Sequence, residues 1–323
     1  MGRGPKVLLT TCLLAGLAVL LAWPVPVALS RAAWPSRAPF VALLAWQAVA
    51  LAGGLSMIGA MLIWGLAPLG DTLLAALRGG IGRVQGGEVT TSLGVMQIFA
   101  LSAAALLGSH LVLTLIKAAW RTSHQRARHR QVLNLLTKES PANPGTLVLD
   151  HETPVAYCLP GFNGSITVLS RGLLQRLNAD ELRAVLAHEG AHLTQRHDLL
   201  VLAFVSWNGA LPWLPTSRLS LDAVQELVEM LADDAALQHV TRPVLLRALL
   251  TATSGTIAGD SGPREPAAST PVDTGGAPAQ ELSARRLRRL LAPQPSLPAA
   301  LQALILCAAL LLLAIPTALV IVP

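Results

Sequence analysis

The stretch Asn178-Ala-Asp-Glu-Leu-Arg-Ala-Val-Leu-Ala-His188-Glu189-Gly-Ala-His192-Leu193 decides how this chain is read. Asn178 followed three residues later by Glu181 is the signature of a capping box, so the stretch opens a helix. On a helix, His188 and His192 stand one turn apart on one face. That spacing lets two imidazoles grip one zinc ion, with Glu189 reaching a metal-bound water as general base. HExxH is short and also occurs in helices that bind nothing. A third ligand has to decide.

The third ligand is sought in the segment Ser220 to Val240, which reads as a second strong helix stopped before Pro243. It carries Glu226, Glu229, Asp233 and Asp234. Glu229 and Asp233 are four apart and share a face. Ala232 and Ala236 lie near that face and let it approach another helix closely. Glu229 is therefore the expected third zinc ligand, with Glu226 as its rival three residues earlier. Asp233 is expected to accept the outer N–H of a ligand histidine and set its tautomer. An ordinary solvated acidic face is the plain alternative. The metzincin spacing HExxHxxGxxH would need glycine at 195 and histidine at 198; Gln195 and Asp198 stand there. His197 and Asp198 read as helix-end residues, a histidine at a C-terminus suiting the macrodipole. Tyr157, the only tyrosine, could donate to an oxyanion, but a role in its strand is the expectation.

Composition sets the surroundings. The chain has 323 residues, 53% hydrophobic and 13% charged, with a mean hydropathy of +0.55. Soluble domains carry about a quarter charged residues, so an integral membrane protein is implied. The net charge of +6 comes from clustered basic residues. We read these as orientation signals rather than a nucleic-acid surface, and the few aromatics argue against base stacking. No direct nucleic-acid partner is expected. Three cysteines without a CxxC suggest neither a disulfide framework nor a cysteine metal site.

Four segments are apolar and long enough to span a bilayer: Val7 to Val27, Phe40 to Leu66, Leu93 to Ala119 and Pro298 to Pro323. The first is read as an uncleaved helix rather than a signal peptide. Gly53, Gly54, Ser56 and Gly59 suit close helix packing in the second. His110 lies in the third; an intramembrane histidine is either functional or a neutral group near a helix end. The loops flanking the first three spans hold eight basic residues on one side, including Arg121, Arg126, Arg128 and Arg130, and four on the other. The positive-inside rule then puts both termini outside and residues 120–298 in the cytoplasm. Thr146-Leu-Val-Leu, Val155-Ala-Tyr-Cys-Leu and Ser165-Ile-Thr-Val-Leu read as short strands between turns, and Arg171 to Leu177 as a short helix. Leu199 to Leu214, closed by Pro212 and Pro215, is short for a crossing and reads as a buried or re-entrant helix.

The expected fold is a mainly α integral membrane protein. About four transmembrane helices surround a domain with a small β-sheet that, with HExxH and a glutamate on a second helix, resembles gluzincin-type zinc metallopeptidases. Residues 1–119 form the three-helix membrane region and 120–252 the cytoplasm-facing peptidase, with the re-entrant helix near 199–214. Residues 253–280, rich in Gly, Pro, Ser and Thr, form a disordered insert. Residues 281–323 hold a basic amphipathic helix at the membrane surface, carrying Arg285, Arg286, Arg288 and Arg289, and the final span. A strand beside the metal, Ser165 to Ser170, is expected to hold an extended peptide by backbone pairing.

The segments Ala156-Tyr-Cys-Leu-Pro-Gly161, Ile166-Thr-Val-Leu-Ser-Arg-Gly-Leu-Leu174, Leu182-Arg-Ala-Val-Leu-Ala-His-Glu-Gly-Ala-His192 and Glu229-Met-Leu-Ala-Asp233 together resemble the BlaR/MecR-type membrane zinc metallopeptidases. More distantly, they resemble HtpX-type proteases. The resemblance implies a peptidase whose Zn²⁺ is held by His188, His192 and Glu229, with Glu189 as base. It also implies a protein substrate, a transcriptional repressor in signalling, cut from a cell membrane whose lipid bilayer holds the enzyme. BlaR/MecR sensors carry a penicillin-binding domain after their last span; none is expected here, so a different trigger or a partner sensor is implied. HtpX-like quality control, a silent membrane adaptor and a channel are the competing readings. Intact Glu189 opposes the adaptor, and the lack of charged groups in several spans opposes the channel. The oligomeric state stays open.

Overall fold

The computed structural model describes residues 4–70, 94–139, 146–159, 166–258 and 283–321. Most of the glycine-rich stretch 67–92, which reads as a loop, the turn at 160–164 and residues 259–280 of the expected insert lie outside them. Two compact units make up the chain: Met1–Leu115 with Ser206–Ala223 and Leu297–Pro323, and Ile116–Val205 with Val224–Ser296.

In the first unit, helix α1 (Gly4–Ala22) stops at Trp23 and α2 (Pro24–Arg31) restarts at once. Pro24 explains both events: it cannot continue the hydrogen-bond ladder of α1, yet its fixed φ suits the first position of α2. The carbonyls this break leaves at Leu21 and Ala22 accept hydrogen bonds from Thr216 Oγ1 at 2.8 and 2.5 Å. Helix α3 (Pro39–Leu66) packs along α1 through Leu14, Leu21, Val49, Ala52, Ala60 and Ile63. Its glycines permit close approach, as the sequence suggested. A Cβ on Gly59 would come within 2.6 Å of Val320 Cγ2, on the last helix.

Helix α4 (Val95–Leu136) follows, and its residues up to Leu115 belong to this unit. Helix α4 runs well past the expected end at Ala119. His110 on α4 bonds through Nε2 to the carbonyl of Ala210 at 3.1 Å. It therefore satisfies a helix-end acceptor rather than facing a pathway.

The second unit is built on a four-stranded sheet of β1 (Thr137–Glu139), β2 (Thr146–Leu149), β3 (Ala156–Leu159) and β4 (Ile166–Ser170). The strand order is β1-β2-β4-β3, with β2 and β4 parallel and the other pairs antiparallel. β1 was not expected; three residues carry too little pattern to announce a strand. Strand β4 has neighbours on both sides, so it cannot take a peptide strand as expected. The sheet edge at this end is β3.

Helix α5 (Arg171–Arg176) follows, capped by Ser170, whose Oγ accepts from Leu173 N–H at 3.1 Å and Val155 N–H at 2.9 Å. Gly172 is required where α5 begins. A Cβ there would overlap the Glu152 carbonyl, while Gly172 N–H donates to His151 O at 3.0 Å. Gly172→Ala should therefore lower stability by about 1–3 kcal/mol, the range for overpacking, read as a shift in denaturation midpoint. An unshifted midpoint would contradict this packing.

Helix α6 (Ala179–Thr194) carries HExxH and has the complete capping box read from the sequence. Asn178 Oδ1 accepts from Asp180 and Glu181 N–H, and Glu181 Oε2 accepts from Asn178 N–H. Helix α7 (His197–Ala210) and helix α8 (Pro215–Ala236) come next. α7 is 14 residues long and α8 starts at Pro215. Proline was read only as a stop; here it occupies the favoured first position of a helix. Residues Ala210, Leu211 and Leu214 bury against Ala22, Met57, Leu107 and Leu111 within the first unit.

Helix α9 (Arg242–Ala258), with Pro243 in its first turn, has no counterpart in the sequence reading. It enters six positions into the stretch expected as a disordered insert. Leu245, Ala248 and Leu249 of α9 pack on Ala184 and Val185 of α6 with Leu169, Leu173 and Ala236. Each buried leucine there stabilises by roughly 1.5–3 kcal/mol, which anchors the HExxH helix against the sheet. Helix α10 (Ala284–Leu291) and helix α11 (Ala299–Ile321) complete the chain as described.

Among the described residues, four stretches are long and apolar enough to cross a membrane: Lys6–Arg31, Pro39–Leu66, Val95–Leu133 and Ala299–Ile321. Large apolar side chains stay exposed on α4 and α11, among them Phe99, Leu106, Leu113, Leu304 and Leu310. These surfaces are compatible with a multi-pass membrane protein.

Candidate metal centre

Helices α6 and α8 bring three groups to one point. His188 Nε2 and His192 Nε2 are 3.4 Å apart. Glu229 reaches the first with Oε2 at 3.4 Å and the second with Oε1 at 3.5 Å. The three could hold a metal ion. A tetrahedral zinc with bonds of about 2.0–2.2 Å needs ligand atoms about 3.3–3.5 Å apart; the two imidazole nitrogens stand at that spacing, and each meets a different oxygen of Glu229 at it. The donor set, two imidazoles and a carboxylate, is also one that zinc takes in catalytic sites. Glu226, the rival ligand, is engaged elsewhere: it accepts from Ser283 Oγ at 2.5 Å and pairs with Arg285 at 3.7 Å.

Asp233 lies one turn beyond Glu229 and is 1% exposed. Its Oδ1 sits 3.2 Å from His188 Nδ1, near enough to act on that ring as a charge partner, though the pair is not aligned as a hydrogen bond. The sequence missed the group that makes this burial affordable. Arg286, on α10, forks onto Asp233 with Nε–Oδ2 at 2.6 Å and Nη2–Oδ1 at 2.7 Å. Its Nη1 also lies 2.9 Å from Glu229 Oε2. Arg286 is 4% exposed. The sequence pattern of the basic helix gave no sign that one of its arginines is a buried counterion of the site. Arg289 adds a bond to Asp234 at 2.7 Å. These partners fix α10 on the acidic face of α8.

His197, read as a residue at the end of the HExxH helix, is instead the first residue of α7. It is 2% exposed, and its ring lies against His192. Tyr157 points to His129, with Oη and Nε2 2.8 Å apart, as befits a strand residue rather than an oxyanion donor. Asp198 pairs with Arg126 at 2.9 Å.

Charges in the metal-free site follow from burial and neighbours. Burial pushes Glu189 up to about 7, against the His188 charge and a hydrogen bond from Cys158 N–H on β3. Burial acts to lower His188, but Asp233 and Glu229 overcome it and hold the ring at about 9. Burial lowers His192 to about 4. Burial alone would raise Glu229, yet the His188 bond and the charges of His188 and Arg286 hold it at about 2. Metal binding must therefore displace a proton from His188.

The signs give a stability profile. His188 and Glu189 bind protons more tightly in the folded state than at their ordinary values of 6.5 and 4.5. Their contributions are lost as pH rises through about 9 and about 7. Glu229 and His192 are depressed from 4.5 and 6.5, so theirs are lost as pH falls through about 2 and about 4. Glu189 and His192 offset each other between. Urea denaturation in chelator should show stability greatest between about pH 4.5 and 6.5, falling on both sides. A monotonic profile would contradict this charge arrangement.

A family model described as Peptidase family M48 matches residues 122–212. The matched stretch contains His188, Glu189 and His192 and stops before Glu229, Asp233 and Arg286. It supports a metallopeptidase. No curated protein and no solved structure matches the chain.

Proposed function

We propose that this chain is a zinc metalloendopeptidase of the M48 type, embedded in a membrane by its four long apolar helices, with His188, His192 and Glu229 as metal ligands and Glu189 as general base. The observation that carries this reading is the convergence of His188, His192 and Glu229, the two Nε2 atoms 3.4 Å apart and a carboxylate oxygen 3.4 to 3.5 Å from each, with Glu189 next to His188 on the same helix. Bound zinc would polarise a peptide carbonyl and acidify a water. The chain's own residues do the rest. Glu189 takes the water's proton and delivers it to the leaving amine. Asp233 and Arg286 hold His188 and Glu229 in place. Strand β3, the sheet edge whose Cys158 N–H bonds Glu189, offers backbone groups to an extended peptide. A folded protein would have to present a flexible segment, because helical carbonyls are already bonded.

The substrate we infer is a cytosolic protein, a transcriptional repressor, cut on the cytoplasmic face. The basic residues flanking the spans support that orientation, and the motif resemblance supports that output. Two experiments test the reading. Purified protein in detergent should hold one zinc per chain and cleave an unstructured protein, with loss on chelation; zinc retained by both His192→Ala and Glu229→Ala would refute the ligand set. Transcripts and repressor fragments should then differ between wild type and a Glu189→Ala strain. An unchanged regulon, with damaged membrane proteins accumulating, would instead establish a quality-control protease like HtpX.

A further inference from the structure

We propose that His197 is a positioning residue for the metal centre: through a hydrogen-bond chain ending on Gln195, it fixes His192 in the tautomer that leaves Nε2 bare for the metal. This rests on the zinc reading above. Three observations place the chain. His197 Nδ1 lies 3.1 Å from His192 Nδ1. His197 Nε2 lies 2.9 Å from Gln195 Oε1. His197 is 2% exposed, so water does not compete for either nitrogen.

The protons are assigned in sequence. The amide oxygen of Gln195 only accepts, so His197 Nε2 carries hydrogen. A neutral imidazole has one N–H, so His197 Nδ1 is bare and accepts. His192 Nδ1 must then donate to it, and His192 Nε2 is left with a free lone pair. That nitrogen is the one facing His188 and Glu229. A donor in place of the Gln195 oxygen would reverse every step and put a proton on the ligand nitrogen. Both ligand histidines thus have a partner behind them, Asp233 for His188 and His197 for His192.

The backbone has a local device that makes this possible. On a continuing helix, a residue five positions after His192 would leave its face. Here α6 ends at Thr194, and Arg196 adopts φ 49°, the one positive φ among the described non-glycine residues. The left-handed residue reverses the chain and swings the first residue of α7 back under His192. Such a conformation in a side-chain-bearing residue is held by its surroundings, and here the His192–His197–Gln195 bonds hold it.

The test uses the full chain in detergent, stripped of metal and titrated with Co²⁺ by visible absorption and with Zn²⁺ against a fluorescent chelator. His197→Leu should weaken metal binding by roughly 10–100-fold and alter the Co²⁺ spectrum. His197→Asn, whose carbonyl oxygen can accept in the place of Nδ1, should restore most of the affinity and the spectrum. Gln195→Met, which removes the acceptor at the end of the chain, should weaken metal binding in the same direction as His197→Leu. Thermal melts of the metal-free variants check folding. Wild-type affinity in His197→Leu overturns the proposal. So does equal weakness of the Leu and Asn variants with equal loss of metal-free stability, since that marks a packing role only. A wild-type chain that binds neither metal removes the zinc reading itself and this inference with it.

Discussion

Replacing Glu189 with glutamine should lower kcat by roughly 10²–10⁴-fold, the contribution of a positioned general base, and leave the zinc content unchanged. Glutamine keeps the shape of the side chain and can still accept the Cys158 N–H that Glu189 accepts. What it lacks is a lone pair basic enough to take a proton from water. Burial holds Glu189 at about 7 in the metal-free site, well above its ordinary value of 4.5. That places it near the operating pH, where proton transfer is most effective. His192→Ala and Glu229→Ala should differ in kind, losing metal and activity together. Metal analysis and hydrolysis of an unstructured protein, run on the same preparations, separate the two classes. A Glu189→Gln enzyme with wild-type turnover would remove Glu189 as the base, and one without zinc would make it a ligand.

The second large effect belongs to stability. Arg286→Met should destabilise the metal-free protein by about 3–5 kcal/mol, the cost of leaving a buried ion without its partner. Asp233, at 1% exposure, and Glu229 would both lose the guanidinium that now lies within 2.6 to 2.9 Å. Adding Asp233→Asn to Arg286→Met should recover part of the loss, because the uncompensated charge is then removed. Excess zinc should recover another part by returning a cation beside Glu229. Urea denaturation in chelator, of the single and double variants, checks both statements. A loss below about 1 kcal/mol, the value of an exposed pair, would mean that Arg286 is not a buried partner in solution.

What the sequence revealed was local. Asn178 and Glu181 announce a helix start because a capping box is written within four residues. His188, His192, Glu229 and Asp233 could be placed because helix period alone puts each pair on one face. What it hid depends on folding at long range or on backbone that residue type does not announce. The arginines at 285–289 are equally suited to a lipid surface and to the acidic face of α8. Only the packed chain shows that Arg286 meets Asp233. His197 lies off the HExxH face and returns to it through Arg196, a residue that gives no sign of a left-handed turn. Pro215 and Pro243 looked like stops and are instead early positions of α8 and α9. Strand β4 looked available for a peptide, but its pairing with both β2 and β3 depends on sheet order, which short strands do not encode.

The position of Arg286 along the chain also sets a schedule. It follows His188 by 98 residues, and domains form as the chain is made from its N-terminal end. The HExxH helix and the carboxylates of α8 are therefore synthesised before the cation that neutralises them. Until α10 arrives, Asp233 cannot be buried at low cost, and the half-made domain has reason to stay open around its own ligands. Completion of the proposed metal centre is thus tied to synthesis of a segment far downstream, so the nascent protein carries His188, Glu189, His192 and Glu229 through translation before the arrangement that would hold them in register exists.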